Sequence, residues 1–314
     1  MKLLVTSSPH IHSGTHTSRL MGAVLAALLP ALLAGVWFFG LRSLALVGVT
    51  VLSCLLSEWG YRKLTRQSNT LPDLSAAVTG VLLAMTLPAT APYWLAAVGG
   101  VFAIVVVKGL IGGLGQNIFN PALAARALLV LLWPSWMVRY APAGTKPDPL
   151  ALSVDMVASA TPLHHMQMPA LPTESLPDVF LGNMGGCIGE VSALALLLGG
   201  GYLLARKVIS WRIPAAYLGT VALLTLIFSK GQNPVLWMLY SLMSGGVLLG
   251  AFFMATDYAT SPATPRAQLL YGLGCGVLTV VFRYYGLFPE GVTYAILLMN
   301  ACAWSLDRLT PDRK

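Results

Sequence analysis

The stretch D-M-V-A-S-A-T-P-L-H-H-M gathers side chains able to do chemistry in a chain that is otherwise apolar. It offers the carboxylate of Asp155, the hydroxyls of Ser159 and Thr161, and two imidazoles. Such groups could hold or carry a polar cofactor. A Ser/Thr cluster before a proline is also typical of a turn or a helix cap, so the residues by themselves leave both interpretations open.

Two polar breaks, G-Q-N-I-F-N-P and T-D-Y-A-T-S-P, interrupt the apolar sequence elsewhere. A break beside a membrane helix frees backbone groups that must be satisfied within the protein or at a cavity. Asn117, Asn120, Asp257 and Thr260 could therefore bind a polar ring or an ion. The alternative is a pair of capped helix ends, because Asn, Asp and Thr are good N-caps and proline suits the first helical turn.

The histidines and cysteines are poorly placed for a metal centre. His10, His12 and His16 have a spacing that could bind a metal, but they lie in a hydroxyl-rich N-terminal segment, and we predict no metal site there. His164 and His165 are predicted loop residues that could contact a phosphate. The four cysteines include no C-x-x-C pair, which argues against a zinc or iron–sulfur centre held by this chain alone. A thiolate shared with a partner chain stays open.

The composition predicts that these groups are positioned by membrane helices. The 314 residues are 56% hydrophobic and only 10% charged, with a mean hydropathy of +0.74. Soluble domains contain about 25% charged residues. Because the apolar runs are long and do not alternate strictly, they predict an all-α polytopic membrane protein rather than a barrel. The first run is long enough to span and is followed by many others, so we do not interpret it as a cleaved signal peptide.

The apolar runs predict about ten transmembrane helices in two five-helix halves. The predicted spans are 20–39, 44–60, 72–88, 92–108, 121–137, 187–205, 213–228, 234–254, 267–283 and 290–306. The halves are residues 20–137 and 187–306, separated by a loop over residues 138–186 that is too polar to span. Residues 1–19 and 307–314 form an N-terminal segment and a tail.

The basic residues predict the orientation of the helices, since cytoplasmic loops carry an excess of lysine and arginine. With the N-terminus in the cytoplasm, fourteen of the 19 basic residues fall on the cytoplasmic side of the inner membrane. Both termini are then cytoplasmic, and the long central loop lies outside. This rule alone is taken to explain the presence of Lys108 and Arg126. Three acidic residues are predicted to lie near helix ends, where water at the membrane surface solvates them: Glu58, Glu190 and Glu290. The charges are spread over short loops, so no nucleic-acid partner is predicted.

An internal repeat is suggested by the two polar breaks. G-Q-N-I-F-N-P-A-L-A-A-R-A-L-L and A-T-D-Y-A-T-S-P-A-T-P-R-A-Q-L-L align Arg126 with Arg266. Equivalent helices of two five-helix halves run in opposite directions, so a true repeat would be inverted. Both motifs nevertheless fall on the cytoplasmic side, which fits convergent turns as well as a repeat.

Five stretches resemble the RnfD/NqrB family of flavin-bearing membrane subunits. They are S-S-P-H, G-L-G-Q-N-I-F-N-P-A-L, D-M-V-A-S-A-T-P-L, G-A-F-F-M-A-T-D and F-P-E-G-V-T-Y-A-I-L-L-M-N. They occur in the family's order over nearly the full length, and the short N-terminus favours the Rnf branch. The resemblance implies a subunit of a complex that moves electrons between ferredoxin and NAD, coupled to Na⁺ or H⁺ translocation. Enzymatic activity would belong to that complex, with its other membrane and peripheral subunits as partners.

The same resemblance implies FMN bound covalently to Thr161, because residues 155–161 resemble the family's flavin-attachment signature. A separate flavin transferase would form the bond, with Asp155 and Ser159 orienting the FMN. A second, noncovalent flavin, riboflavin, is implied within the helices, and the Asn117 break is one plausible place for it. The iron–sulfur centres would belong to other subunits.

The alternative function is a secondary transporter or channel with no redox cofactor. Ten spans, a repeat and broken helices fit a transporter equally well. A transporter does not account for the flavin-attachment stretch in the central loop.

Overall fold

Hydrophobic α-helices form nearly all the regular structure of this chain. The computed structural model describes residues 17–68, 70–112, 117–151, 161–166, 171–286 and 290–310. No β-strand occurs within these ranges, although one antiparallel bridge joins Pro88 to Cys187. This result confirms the predicted all-α class. Several sequence candidates lie outside the described residues, namely Asp155, Ser159, His10, His12 and His16.

The N-terminal half supplies one side of both candidate sites described below. Its elements are α1 Thr17–Phe39, α2 Leu41–Leu64, a 3₁₀ turn Leu71–Asp73, α3 Ser75–Met85, α4 Tyr93–Val101 continuing as a π-helix Phe102–Ile111, and α5 Pro121–Leu132. Leu74 takes a left-handed conformation, with φ 64°, between the 3₁₀ turn and α3. The predicted span 72–88 is therefore divided, and its α-helix is only 11 residues long.

The central part of the chain contains only short helices among its described residues. They are α6 Pro134–Met137, α7 Pro162–His165 and α8 Leu176–Leu181. None of the three is long enough to cross a bilayer, and the loop over residues 138–186 stays a prediction.

The C-terminal half supplies the other side of the candidate sites. Its elements are α9 Ala193–Ala205, α10 Arg212–Ile227, α11 Pro234–Met243, α12 Val247–Leu249 continuing as a π-helix Gly250–Met254, α13 Pro265–Tyr285 and α14 Val292–Leu309. Helix α9 begins later than predicted, because Ile188 and Gly189 donate their N–H groups to Leu87 and Met85 at 3.0 and 2.8 Å. These bonds tie the segment before α9 to the end of α3.

Four helices are long and apolar enough to cross a membrane: α1, α2, α4 with its π-helical continuation, and α13. Helices α11 and α12 form a fifth candidate, a single span bent by 60° at a short break. Helices α3, α5, α9 and α10 are apolar but shorter. The structure thus supports a helical membrane protein with four or five candidate spans, and the count of ten spans stays a prediction.

The two halves share one apolar core. Helix α1 packs against α9, and α5 packs against α14, so each of these contacts joins the halves. Within each half, α2 packs against α3 and α4, and α10 packs against α13. Leu28, Leu83, Leu196 and Tyr217 belong to the same cluster of buried side chains. Polar groups between the halves therefore lie among apolar side chains.

Candidate functional site

Thr161 is the N-cap residue of α7 and lines a small pocket. Its Oγ1 accepts a hydrogen bond from the backbone N–H of His164 at 3.3 Å, so this threonine is a helix cap. The side chain is 7% exposed, and Glu190, Gly245 and Glu290 line the same pocket. Thr161 therefore faces two carboxylates that no sequence motif had connected with it.

Five side chains next to this pocket form the buried charge cluster, which consists of Arg126, Tyr140, Cys187, Glu190 and Glu290. Arg126 Nη1 donates to Glu190 Oε1 at 3.0 Å, and Nη2 contacts Glu290 Oε2. The Tyr140 hydroxyl donates to Glu290 Oε1 at 2.7 Å. Arg126 Nη2 also lies 3.6 Å from the Cys187 sulfur. The guanidinium of Arg126 thus forms ion pairs with two carboxylates in the interior.

Arg126 and Glu190 correct two predictions made from the sequence. Each is only 4% exposed, so Arg126 does more than follow the positive-inside rule, and water does not solvate Glu190. An unpaired buried ion costs several kcal/mol, which makes each residue depend on the other. Sequence spacing gave no signal of this pair, because 64 residues separate its members.

The break between α11 and α12 forms another wall of the Thr161 pocket. Gly245 has a φ of 67°, in the left-handed region that favours glycine. A Cβ atom at this position would lie 3.0 Å from Leu163 Cδ2 and 3.1 Å from Arg283 Nη2. The break therefore packs directly against α7, which begins one residue after Thr161.

Opposite charges lie at the two helix ends that meet at this break. Arg283 donates to the carbonyls of Ser241 and Ser244, at 2.5 and 2.8 Å, at the C-terminal end of α11. Glu190 lies at the start of α12, where its Oε1 would be 2.6 Å from a Cβ on Gly246. A helix dipole favours a cation at its C-terminus and an anion at its N-terminus. Arg283 therefore stabilises the C-terminal end of α11, and Glu190 lies beside the start of α12.

A second site lies at a cavity of about 220 Å³ between the halves. Asn117, Asn120 and Asp257 line this cavity together with Asp73, so the structure brings three of the four predicted residues together. Thr260 is not one of the lining residues; its hydroxyl donates to Asp257 Oδ2 at 3.3 Å.

The cavity wall contains polar atoms that a ligand could satisfy. Asn117 Oδ1 and Asp73 Oδ2 are buried and have no hydrogen-bond partner among the described residues. Leaving such an atom unpaired costs about 1–3 kcal/mol. Burial raises the pKa of Asp257, although the Ala259 N–H and the Thr260 hydroxyl act in the opposite direction. The cavity therefore offers acceptors to a polar ring, an ion or water.

Lys108 reaches the same cavity from the π-helical continuation of α4. It is 7% exposed and lies 2.6 Å from Glu58 Oε1, and it also donates to Ser75 Oγ at 2.7 Å. Glu58 is 2% exposed and accepts a further bond from Thr70 at 2.8 Å. Lys108 was predicted to follow only the positive-inside rule and Glu58 to be solvated; both predictions are wrong, because the two residues form a buried ion pair.

Asn120 connects the first polar break to the end of the second π-helix. Its Oδ1 accepts from the N–H groups of Ala122 and Leu123 at 3.0 and 3.3 Å, as an N-cap does. Its Nδ2 donates to the Met254 carbonyl at 3.3 Å, at the end of the second π-helix. The helix-cap interpretation is thus correct for Asn120, and the same side chain also lines the cavity.

Replacing Asn120 with alanine should lower the free energy of unfolding by about 2 kcal/mol. Loss of the cap accounts for about 1 kcal/mol, and loss of the bond to Met254 for about 1 kcal/mol. Denaturant unfolding in detergent micelles, followed by circular dichroism, measures the change. Asn233→Ala is the matched control, because Asn233 caps α11 in the same way but is exposed. Equal losses in both variants would show that the bond to Met254 contributes nothing.

Apolar helices, a broken helix and buried ion pairs together define a helical membrane protein with polar sites in its core. Comparison with known families identifies the family within this class. The model of the NQR2, RnfD, RnfE family matches residues 4–314, and the chain belongs to this family.

Relatives in this family are subunits of oxidoreductase complexes. A subunit of the Na(+)-translocating ferredoxin:NAD(+) oxidoreductase complex of Acetobacterium woodii is 49% identical, over 100% of this chain and 95% of the relative. A subunit of the proton-translocating ferredoxin:NAD(+) oxidoreductase complex of Clostridium ljungdahlii is 39% identical, over 99% and 95%. A subunit of the ion-translocating oxidoreductase complex of Shewanella amazonensis is 38% identical, over 98% and 96%. These matches confirm the family predicted from the five stretches.

Proposed function

We propose that this chain is the flavin-carrying membrane subunit of an ion-translocating ferredoxin:NAD oxidoreductase complex of the Rnf type. The observation that carries the proposal is full-length similarity to a subunit of one such complex, at 49% identity. One relative is named for Na⁺ and another for protons, so the coupled ion is left open between these two. The chain would work only with the other subunits of the complex.

Thr161 carries FMN through a phosphoester bond in this proposal. Its hydroxyl lines a pocket, accepts one bond from His164, and donates its proton to none of the described residues. The residues present therefore fit a hydroxyl that can be esterified. A flavin transferase would direct the Thr161 oxygen to the flavin-side phosphate of FAD, with AMP leaving. Asp155 and Ser159 would orient the group.

The protein's contribution to this site is position and electrostatics. Bound flavin supplies the redox chemistry. Leu163 packs against Gly245, so the helix after Thr161 is fixed on the helix break. Arg126 holds the two nearby carboxylates in place. A largely buried polar pocket of this kind strengthens electrostatic interactions with a bound group.

The 220 Å³ cavity is the proposed place for the second flavin, riboflavin, or for the translocated ion. Asn117, Asn120 and Asp257 would face the bound group, and Thr260 would hold Asp257 in position. Phe252 and Phe253 add an apolar wall that suits a planar ring. The Asn117 oxygen has no hydrogen-bond partner among the described residues, which supports a ligand with a hydrogen-bond donor.

The proposal includes ten spans in two halves, residues 20–137 and 187–306, with both termini in the cytoplasm. The loop over residues 138–186 then lies on the outer face, where the transferase is expected to act. In support, each of the ten apolar runs contains a described helix. The repeat is supported by the π-helix that precedes each polar break, although its inverted direction rests only on the predicted topology.

In-gel flavin fluorescence of the denatured protein tests this function. Cells must express the flavin transferase, and the wild type is compared with Thr161→Val and with Thr173→Val, an exposed threonine of the central part. We expect full fluorescence in the wild type and in Thr173→Val, and none in Thr161→Val, because only the loss of Thr161 removes the ester oxygen. Acid precipitation of Thr161→Val should still release noncovalent flavin from the cavity.

A dark wild-type band, with the transferase shown active on another substrate, would contradict covalent attachment. The secondary transporter or channel would then become the favoured function. A fluorescent band in Thr161→Val would place the flavin on another residue.

A further inference from the structure

Arg283, in the last turn of α13, is a buried cation that forms no ion pair with the described residues. It is 6% exposed, and the three ion pairs found among those residues have Lys108 or Arg126 as the cation. Its Nη atoms donate to the carbonyls of Ser241 and Ser244, while its Nε has no hydrogen-bond partner in the described part of the chain. Carbonyl groups orient the guanidinium but carry no full charge, so no carboxylate in contact neutralises it.

The position of Arg283 places this charge at the wall of the Thr161 pocket. Gly245 lines the pocket together with Thr161, and a Cβ on Gly245 would lie 3.1 Å from Arg283 Nη2. The same point is 3.0 Å from Leu163 Cδ2, two residues after Thr161. The Ser244 hydroxyl, at the same helix break, is fully buried and has no hydrogen-bond partner among the described residues. The break therefore holds a cation and unsatisfied polar atoms beside the attachment residue.

The other charges at this pocket leave a phosphate on Thr161 short of positive charge. Glu190 and Glu290 line the pocket, and both are paired with a single cation, Arg126. A phosphate joined to Thr161 and to flavin keeps one ionised oxygen, which adds a third anion. Arg126 already contacts two carboxylates, whereas Arg283 contacts none. With Arg283, two cations face three anions; without it, one cation would face all three.

We infer that Arg283 supplies the counter-charge for the phosphate of the flavin group on Thr161. This inference rests on the proposed attachment of FMN. The carbonyls of Ser241 and Ser244 hold the guanidinium at the pocket wall before the ester forms, so its charge is already in place. Opposite charges attract strongly in a largely buried site, because the local dielectric is low. Arg283 is thus a positioning residue for the phosphate and undergoes no chemical change itself.

A purely structural role for Arg283 makes a different prediction. A cation at the C-terminal end of α11 stabilises that helix through its dipole, whether or not Thr161 is modified. A counter-charge stabilises the protein more when the phosphate is present. The two roles are therefore separated by the dependence of the Arg283 effect on the charge at position 161.

Denaturant unfolding in detergent micelles measures this dependence on wild type and Arg283→Gln, each made with and without the flavin transferase. We expect Arg283→Gln to raise the unfolding equilibrium constant at least about tenfold more in the flavin-loaded protein than in the unloaded one, because loss of one partner of a buried charge pair is strongly destabilising. Arg283→Lys keeps the charge and should remove most of that difference. Arg266→Gln, an exposed arginine at the other end of α13, should show no difference between the two states.

A second comparison needs no flavin. Thr161→Asp and Thr161→Asn both provide a good N-cap for α7 and differ by one negative charge. Adding Arg283→Gln should destabilise Thr161→Asp more than Thr161→Asn. This comparison decides the matter if Arg283→Gln cannot be loaded with flavin.

Equal effects of Arg283→Gln in loaded and unloaded protein would overturn the inference. Where Arg283→Gln stays unloaded, equal effects in Thr161→Asp and Thr161→Asn would do so. A dark wild-type gel band overturns the flavin attachment and this inference together, whereas a fluorescent wild-type band with equal effects overturns this inference alone.

Discussion

Replacing Arg126 with methionine is expected to lower the free energy of unfolding by about 3–5 kcal/mol, the usual range when one partner of a buried ion pair is removed. Two carboxylates, Glu190 and Glu290, would be left without their shared cation. Methionine fills a similar volume, so the loss would be mainly electrostatic. Denaturant unfolding in detergent micelles measures it.

Two further variants separate charge from packing. Arg206→Met removes an exposed arginine and should change the stability by no more than about 0.5 kcal/mol. Adding Glu190→Gln and Glu290→Gln to Arg126→Met removes every charge of the cluster and should recover part of the loss. If this triple variant is as unstable as Arg126→Met, the electrostatic explanation is wrong.

Replacing Arg42 with methionine should both destabilise the protein and reduce the proposed attachment of flavin to Thr161 several-fold. Arg42 is fully buried and donates to the carbonyls of Ala89 and Ala91 at 3.0 and 3.1 Å. It also donates to the backbone carbonyls of Asp148 and Ala151 at 3.1 and 2.5 Å. Hydrogen bonds from a charged group contribute about 1.5–3 kcal/mol each, and we expect a net loss of about 3 kcal/mol after the loop relaxes.

The effect of Arg42 on flavin follows from chain connectivity. Residues 148–151 lie shortly before the stretch 155–161 in the sequence, and Arg42 fixes them to the loop after α3. In-gel fluorescence per unit of protein measures attachment. Lys146→Met removes an exposed charge from the same loop and should have no effect. Arg42→Lys should restore only part of the signal, because an ammonium lacks the planar fork that reaches several carbonyls. Full attachment in Arg42→Met would show that this anchor is not needed.

The helices could be predicted because a membrane segment must satisfy its own backbone and be apolar along its length. Both properties are local, so composition alone located them. The N-cap at Asn120 could be predicted for the same reason, because it depends only on residues that are adjacent in the sequence. Where α3 and α9 begin could not be predicted, because Leu74 and the bonds of Ile188 and Gly189 depend on neighbouring segments.

The buried charges could not be placed from the sequence. The positive-inside rule counts basic residues without asking whether they are buried, and it only assigned Arg42, Lys108, Arg126 and Arg283 to one side of the membrane or the other. All four are buried. Their partners are distant in sequence, 50 residues in the case of Lys108 and Glu58. The one available signal was the general rule that ionisable residues inside membrane segments are functional candidates.

The two π-helices have a consequence for how relatives of this chain can differ in length. A π-helix closes its hydrogen bonds over one more residue than an α-helix does. Loss of one residue within Phe102–Ile111 or Gly250–Met254 can therefore be absorbed by a return to α-helix. The same loss inside α13 would rotate Arg283 by about 100° away from the carbonyls it binds. Single-residue insertions and deletions among relatives should accordingly be found in the π-helical segments and be absent from α13.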